Sequence, residues 1–194
     1  MHDVRNIWCL GRAYADHAKE LGNQVPDQPL IFLKAGSCVS NDHKIQLPNS
    51  TDEFHYELEL GLKFDDNLNF SHYCAAIDLT NRSKQSDLKK KGQAWTAAKS
   101  FKAACPISCF QSITEINPED TSILLKLNGQ TKQSASTSLL LFPIEEMRNF
   151  LIENYPVCPG DLFLSGTPAG VGALKSGDLL ECELGKIHHS WSVE

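Results

Sequence analysis

The run His55-Tyr56-Glu57-Leu58-Glu59-Leu60-Gly61-Leu62 sets two carboxylates one residue apart inside an apolar frame. In a β-strand alternate side chains share a face. Glu57 and Glu59 then point one way, while Tyr56, Leu58, Leu60 and Leu62 point into a core. At ~4 Å and an effective dielectric of ~20, two such charges repel by roughly 4 kcal/mol. The repulsion disappears if the pair flares into water, which the spacing by itself favours, or if a cation sits between them. Asp78, within Ala75-Ala76-Ile77-Asp78-Leu79, is a third acid that is costly to bury unless paired or bound to metal. Its local alternative is Arg82, four residues on. Three oxygen ligands suit Mg²⁺ or Mn²⁺ better than zinc.

Three further groups bear chemistry. His17 and Glu20, spaced to share a helix face, form either a surface pair or an imidazole oriented by a carboxylate to activate water. Lys99, in Trp95-Thr96-Ala97-Ala98-Lys99-Ser100-Phe101, either snorkels to solvent or faces a buried anion. The stretch Gly160-Asp161-Leu162-Phe163-Leu164-Ser165-Gly166-Thr167-Pro168-Ala169-Gly170 runs from a strand into a turn. That turn is a plain tight turn or offers N–H groups and the Thr167 hydroxyl to a small anion. It lacks the Gly-Lys-Ser/Thr of a P-loop.

The elements that must position these groups are mostly short strands. Asn6–Leu10, Leu30–Lys34 (a buried strand), Lys44–Leu47, Phe54–Lys63, Leu162–Leu164, Leu179–Leu184 and Ile187–Val193 read as strands, and Tyr73–Leu79 is an apolar run. Ile123–Leu127 continues through Asn128-Gly129, the strongest hairpin signal in the chain. Helices are predicted over Ala13–Leu21, ended by Gly22, over Arg82–Lys91, stopped by Gly92, and over Pro143–Asn154 with proline in the first turn. The pattern defines an α+β, mostly β chain, with one domain over residues 1–194 and no repeat or linker.

A chain of 194 residues with net charge −6 and one short basic run, Lys89-Lys90-Lys91, is not built for nucleic acid. No apolar run reaches the ~18–20 residues of a membrane span. The N-terminus lacks a signal-peptide pattern, and the seven scattered cysteines without a C-x-x-C pair read as mostly buried reduced thiols. A cytoplasmic protein with no membrane partner is expected.

Five ordered segments together resemble the fumarylacetoacetate hydrolase family over nearly the whole chain. They are Gly11-Arg12-Ala13-Tyr14-Ala15-Asp16-His17-Ala18-Lys19-Glu20, His55–Gly61, Asp78-Leu79-Thr80-Asn81-Arg82, Ala98-Lys99-Ser100-Phe101, and Gly160-Asp161 with Ser165–Gly172. The Lys-Lys-Lys-Gly-Gln-Ala-Trp stretch and Cys105-Pro106-Ile107-Ser108 are most similar to the small acylpyruvate hydrolase and oxaloacetate decarboxylase branch. The resemblance implies a mixed β-sandwich roll with few short helices and a homodimer. It implies Mg²⁺ or Mn²⁺ on Glu57, Glu59 and Asp78. His17 and Glu20 would lie on a lid helix that activates water, with Lys99 as a further catalytic residue, and Arg82, Gln85 and Thr167 would bind substrate. The implied reaction is carbon–carbon hydrolysis of a short acylpyruvate, an anionic 2-oxo acid. Oxaloacetate decarboxylation, hydratase or isomerase action on related dicarboxylates, and a silent binding protein are the alternatives. With a divalent ion, the three acids, Lys99 and Arg82 sum to one positive charge. Ala13 stands where the family usually has Asn, and Ser83 where Asp commonly follows the Arg. The 18 residues between Glu59 and Asp78 form a shorter connection than usual.

Overall fold

The computed structural model describes residues 4–20 and 26–194, the side chains of residues 17–19 excepted. Its main sheet runs, in spatial order, Gln111–Ser112, Phe70–Ile77, Leu58–Phe64, Leu162–Leu164, Asn6–Gly11, Leu30–Ala35. Asn6–Gly11 pairs parallel with Leu162–Leu164; the other pairings in this sheet are antiparallel. A second sheet, Gln130–Ser136, Ser122–Leu127, Leu179–Leu184, Ile187–Val193 and Lys44–Ile45, packs over one face. Leu58, Leu60, Leu62, Tyr73 and Ile77 from the first sheet share a core with Ile123, Leu125, Leu180, Leu184 and Trp191 from the second. This is the mixed, mostly β architecture expected from the chain.

The opposite face of the main sheet is also covered. Ile7, Cys9, Cys74, Ala76, Leu162 and Leu164 bury there against Cys38, Ala104, Cys105 and Ile107. Five cysteines, Cys9, Cys38, Cys74, Cys105 and Cys182, are buried free thiols, whereas Cys109 is exposed and Cys158 is half-buried. A sheet covered on both faces explains why Leu58–Phe64 carries so little polar surface.

Four short α-helices occur among the described residues: α1 (Ala15–Glu20), α2 (Arg82–Lys90), α3 (Thr96–Lys99) and α4 (Ile144–Asn154). The Asn81 side chain caps α2 by accepting the Lys84 N–H, and Gly92 follows at φ +62°, so this helix ends as its sequence predicts. Asn128 (φ +52°) and Gly129 (φ +75°) make the primed turn expected of Asn-Gly. The expected stop of α1 at Gly22 lies outside the described residues.

Three expectations need correction. Leu30–Ala35 is an edge strand, not a buried one: Leu33 is 45% exposed, because no strand follows it in the sheet. Pro143 precedes α4 in extended conformation rather than sitting in its first turn. The predicted strand Phe54–Lys63 is broken at Glu57. Phe54–Tyr56 belongs to a small sheet with Thr80–Asn81 and Gly172–Ala173, and Leu58–Phe64 to the main one. Glu57 is the residue at which the chain changes sheets.

Candidate metal centre and active-site pocket

The break at Glu57 is matched on its neighbours. Phe70–Ile77 leaves the main sheet at Asp78 and joins the small sheet at Thr80; the chain after Leu162–Leu164 leaves it and joins the small sheet at Gly172. Three adjacent chains therefore part company with the main sheet at one place, and a polar gap opens there. The short Glu59–Asp78 connection is a hairpin turned at Asp65–Asn69, with a register shift between Lys63 and Phe64. Its register sets Leu58 opposite Ile77 and Glu59 opposite Ala76. One step further the Asp78 N–H donates to the Glu57 carbonyl at 2.8 Å. Directly opposed residues share a face, so the shortened connection brings the third acid to the first two.

Glu57, Glu59 and Asp78 are all buried, and each can contribute an oxygen to a group whose atoms lie within 4.8 Å of one another. Burial, then the charges of Asp78 and Glu57, push the Glu59 carboxyl well above the ordinary range; Lys99 and the Gly166 N–H partly oppose this. Three buried carboxylates in mutual repulsion, with oxygen donors alone, fit a hard divalent cation. Gly166 (φ +91°) aims its N–H at Glu59 Oε2, 2.7 Å away. A Cβ on Gly166 would collide with Ala13, so the small Ala13 and this glycine fit each other.

The counter-charges are arranged around the acids. Lys99, at the end of α3, is buried and donates to Asp78 Oδ2, to Glu57 Oε2 at 2.8 Å and to the Thr80 hydroxyl at 2.7 Å. Its ammonium also lies 4.9 Å from the centre of the Phe32 ring. Burial alone would lower the Lys99 pKa; Asp78 and Glu57 override it and hold the ammonium above the ordinary lysine range. Of the two sequence readings, the buried-anion one is the correct one. Arg82 opens α2 and pairs with Glu57 Oε1 at 2.5 Å, while its other nitrogen donates to Gln85 Oε1 at 2.6 Å. Arg82 thus pairs with Glu57 and not, as local spacing allowed, with Asp78.

Asp78 has a partner that sequence reasoning missed. Lys34 Nζ, 0% exposed, donates to Asp78 Oδ1 at 2.5 Å and to the Leu79 carbonyl at 3.2 Å. The signal was a charge inside Leu30-Ile31-Phe32-Leu33-Lys34-Ala35, on the same strand face as Phe32. Gln133 was missed as well. From the second sheet, its buried amide accepts the Leu58 N–H at 3.1 Å and donates to Thr167 Oγ at 2.7 Å and the Pro168 carbonyl at 2.8 Å. Its principal contacts are 75 and 34 residues distant, beyond any local pattern.

One pocket is lined by Glu57, Glu59, Asp78, Arg82, Gln85, Lys99 and Thr167, seven of the nine residues singled out in the sequence. The Thr167 hydroxyl donates to the Leu58 carbonyl at 2.8 Å, so its proton is committed within the protein. Glu20 at the end of α1 accepts the Gly170 N–H at 3.1 Å, which ties this helix to the turn beside the pocket. The turn does bind anions, but they are the chain's own Glu59 and Glu20. The His17 side chain, and with it the predicted His17–Glu20 pair, lies outside the described residues.

A family model described as "Fumarylacetoacetate (FAA) hydrolase C-terminal" matches residues 6–190. The chain belongs to the fumarylacetoacetate hydrolase family. It is 35% identical to the mitochondrial oxaloacetate tautomerase fahd-1 of Caenorhabditis elegans, over 97% of this chain and 94% of that protein. It is 35% identical to a mitochondrial oxaloacetate decarboxylase of Dictyostelium discoideum, over 92% of this chain and 88% of that one. Among solved structures it superposes on fumarylpyruvate hydrolase from Pseudomonas aeruginosa, crystallised with Mn²⁺ and pyruvate. The TM-score is 0.91 at 27% identity, covering 98% of this chain and 89% of the other.

Proposed function

We propose that this family member acts on short 2-oxo acids through a pyruvate-type enolate, and that oxaloacetate is its substrate. The observation that carries this reading is the charge of the pocket. Around the acid cluster Lys34, Lys99 and Arg82 cancel Glu57, Glu59 and Asp78, so a divalent ion leaves two positive charges there, one more than the sequence suggested without Lys34, and Arg12 and Lys89 add to them along the same pocket. That surplus of positive charge suits a dianion. Oxaloacetate relatives at 35% identity support the same substrate.

Mg²⁺ or Mn²⁺ held by Glu57, Glu59 and Asp78 would supply Lewis-acid polarisation of the 2-oxo acid's oxygens. The chain's own residues do the rest. The Lys99 ammonium, kept protonated by Asp78 and Glu57, stabilises negative charge as it builds on the enolate oxygen. Arg82, held in place by Glu57 and Gln85, offers a fixed guanidinium to a carboxylate. Loss of CO₂ from oxaloacetate and its keto–enol interconversion both need this stabilisation, and neither needs an attacking water.

Hydrolysis of an acylpyruvate is the second reading. The Glu20–Gly170 tie sets α1, which bears His17, beside the pocket, and the fumarylpyruvate hydrolase structure supports it. Here His17 would take the proton of a water that attacks the distal carbonyl. Purified protein with Mg²⁺ or Mn²⁺ is assayed on oxaloacetate and acetylpyruvate side by side, with EDTA as control. Metal-dependent turnover of oxaloacetate that survives His17→Ala is expected. Turnover unaffected by EDTA, or full activity and metal content in Glu57→Gln, would refute the metal-enolate assignment.

A further inference from the structure

The pocket is graded from buried to open. Glu59, Asp78 and Lys99 are buried, Arg12, Arg82 and Trp95 are half-buried, and Lys89 is exposed. All seven line it. The three acids are balanced by Lys34, Lys99 and Arg82, so the two remaining cations, Arg12 and Lys89, are surplus. Neither makes an ion pair with a carboxylate among the described residues.

Arg12 is placed there against its backbone's preference. Arg12 follows the strand Asn6–Gly11, whose last two residues, Leu10 and Gly11, also line the pocket. At Arg12 the chain takes φ +57°, and the residue lines the pocket with them. Left-handed backbone at a bulky residue costs about 1 kcal/mol or more and gathers where ligands are clamped. The Arg12 Nε is buried and has no hydrogen-bond partner, although a guanidinium stays charged at all working pH. On α2, Lys89 sets its ammonium 5.0 Å from the centre of the Trp95 ring. Partial burial of the ammonium, and then the charges of Arg82, Arg12 and Lys99, lower the Lys89 pKa; the cations crowd one another and an anion between them relieves the crowding.

We propose that Arg12 and Lys89 form a second carboxylate subsite at the open end of this pocket, one that selects 2-oxo dicarboxylates over 2-oxo monocarboxylates. This rests on the reading that the acid cluster holds the 2-oxo end of the substrate. The chain then discriminates by the far end of the molecule, with a bidentate guanidinium supplying geometry and the lysine a mobile charge.

The test is calorimetric titration of Mn²⁺-loaded protein with pyruvate and with 3,3-difluorooxaloacetate, a dianion that cannot enolise. Wild type is expected to bind the dianion at least ten-fold more tightly than pyruvate. Arg12→Gln and Lys89→Gln should each weaken the dianion five-fold or more, leave pyruvate within two-fold and keep the thermal midpoint. Arg12→Lys should recover part of the loss. Equal weakening of both ligands, or of neither, overturns the subsite. Should Arg12→Gln fail to fold, Lys89→Gln on the exposed side of α2 decides alone. A wild type that shows the dianion preference but turns over no 2-oxo acid keeps the subsite and removes the proposed reaction. A wild type that binds neither ligand removes both.

Discussion

Removing Lys34 would leave Asp78 with one buried ammonium where the fold supplies two. Breaking a buried pair from one side costs about 3–5 kcal/mol, so Lys34→Met should lower stability by about 3 kcal/mol in denaturant melts. Saturating Mn²⁺ should recover part of that loss, because a cation again sits beside Asp78. Glu59→Gln should do the opposite. It relieves the carboxylate repulsion, so the metal-free protein keeps or gains stability. Mn²⁺ affinity should fall by more than the roughly 10–100-fold typical of outer-shell changes; equal affinity in calorimetry would contradict the assignment of Glu59 as a ligand. The acids were legible because two-residue alternation in an apolar frame is a local signal. Lys34 was not, since a lysine on a short apolar strand reads equally well as snorkelling to solvent. Only its pairing with Asp78, 44 residues away, reverses that reading. Arg12 escaped notice because its orientation follows from a backbone angle that side-chain pattern does not encode.

Among the elements, the strands Leu162–Leu164, Leu179–Leu184 and Ile187–Val193 fall where the sequence placed them, because glycine-rich turns bound each one. The break at Glu57 could not be read in the same way. Nothing in His55–Leu60 interrupts the alternation; the interruption comes from a change of hydrogen-bonding partners contributed by distant segments. Gln133 holds that junction. Gln133→Leu would leave the Leu58 N–H, the Thr167 hydroxyl and the Pro168 carbonyl without their side-chain partner. A stability loss of about 2–3 kcal/mol is expected, with a fall in metal affinity of roughly ten-fold or more through the displaced Glu57 and Glu59. Lost stability with unchanged metal affinity would show that Gln133 supports the fold alone. Asp161 ties other elements. Its carboxylate accepts from the Asn6 N–H and amide, the Trp8 indole and the Cys158 N–H, joining Asn6–Gly11 to the loop before Leu162. Asp161→Ala should cost about 3 kcal/mol or more, seen as a shifted denaturation midpoint.

For the molecule as a whole, the proposed metal assignment links cation binding to folding. At a free metal concentration of 100 times Kd the gain is about 2.7 kcal/mol. For a chain of this size that raises the thermal midpoint by roughly 5–10 °C, a shift that EDTA should abolish. A separate dependence on acidity comes from the second sheet. The His189 ring stacks on His43 at 4.7 Å and meets Trp191 edge-on at 4.4 Å. Burial, and then the neighbouring His43, lower the His189 pKa below the ordinary histidine value. The unfolded chain binds this proton near pH ~6.5, the folded one at lower pH, so the contribution is intact above ~6.5 and is lost as pH falls below it. His189→Phe should flatten the decline of the thermal midpoint between neutral and mildly acidic pH; an unchanged slope would assign the decline to other groups.

The hairpin of Leu58–Phe64 and Phe70–Ile77 keeps Glu59 and Asp78 at one end and its turn at the other. Six strand positions separate Glu59 from Asp65, roughly 20 Å at ~3.3 Å per residue. What is added at Asp65–Asn69 lengthens the far tip and leaves the register of the acids untouched. That tip is therefore a port for engineering: a fluorescent reporter, an affinity tag or an extra module spliced between Asp66 and Asn67 should ride on the protein without changing how it loads its metal.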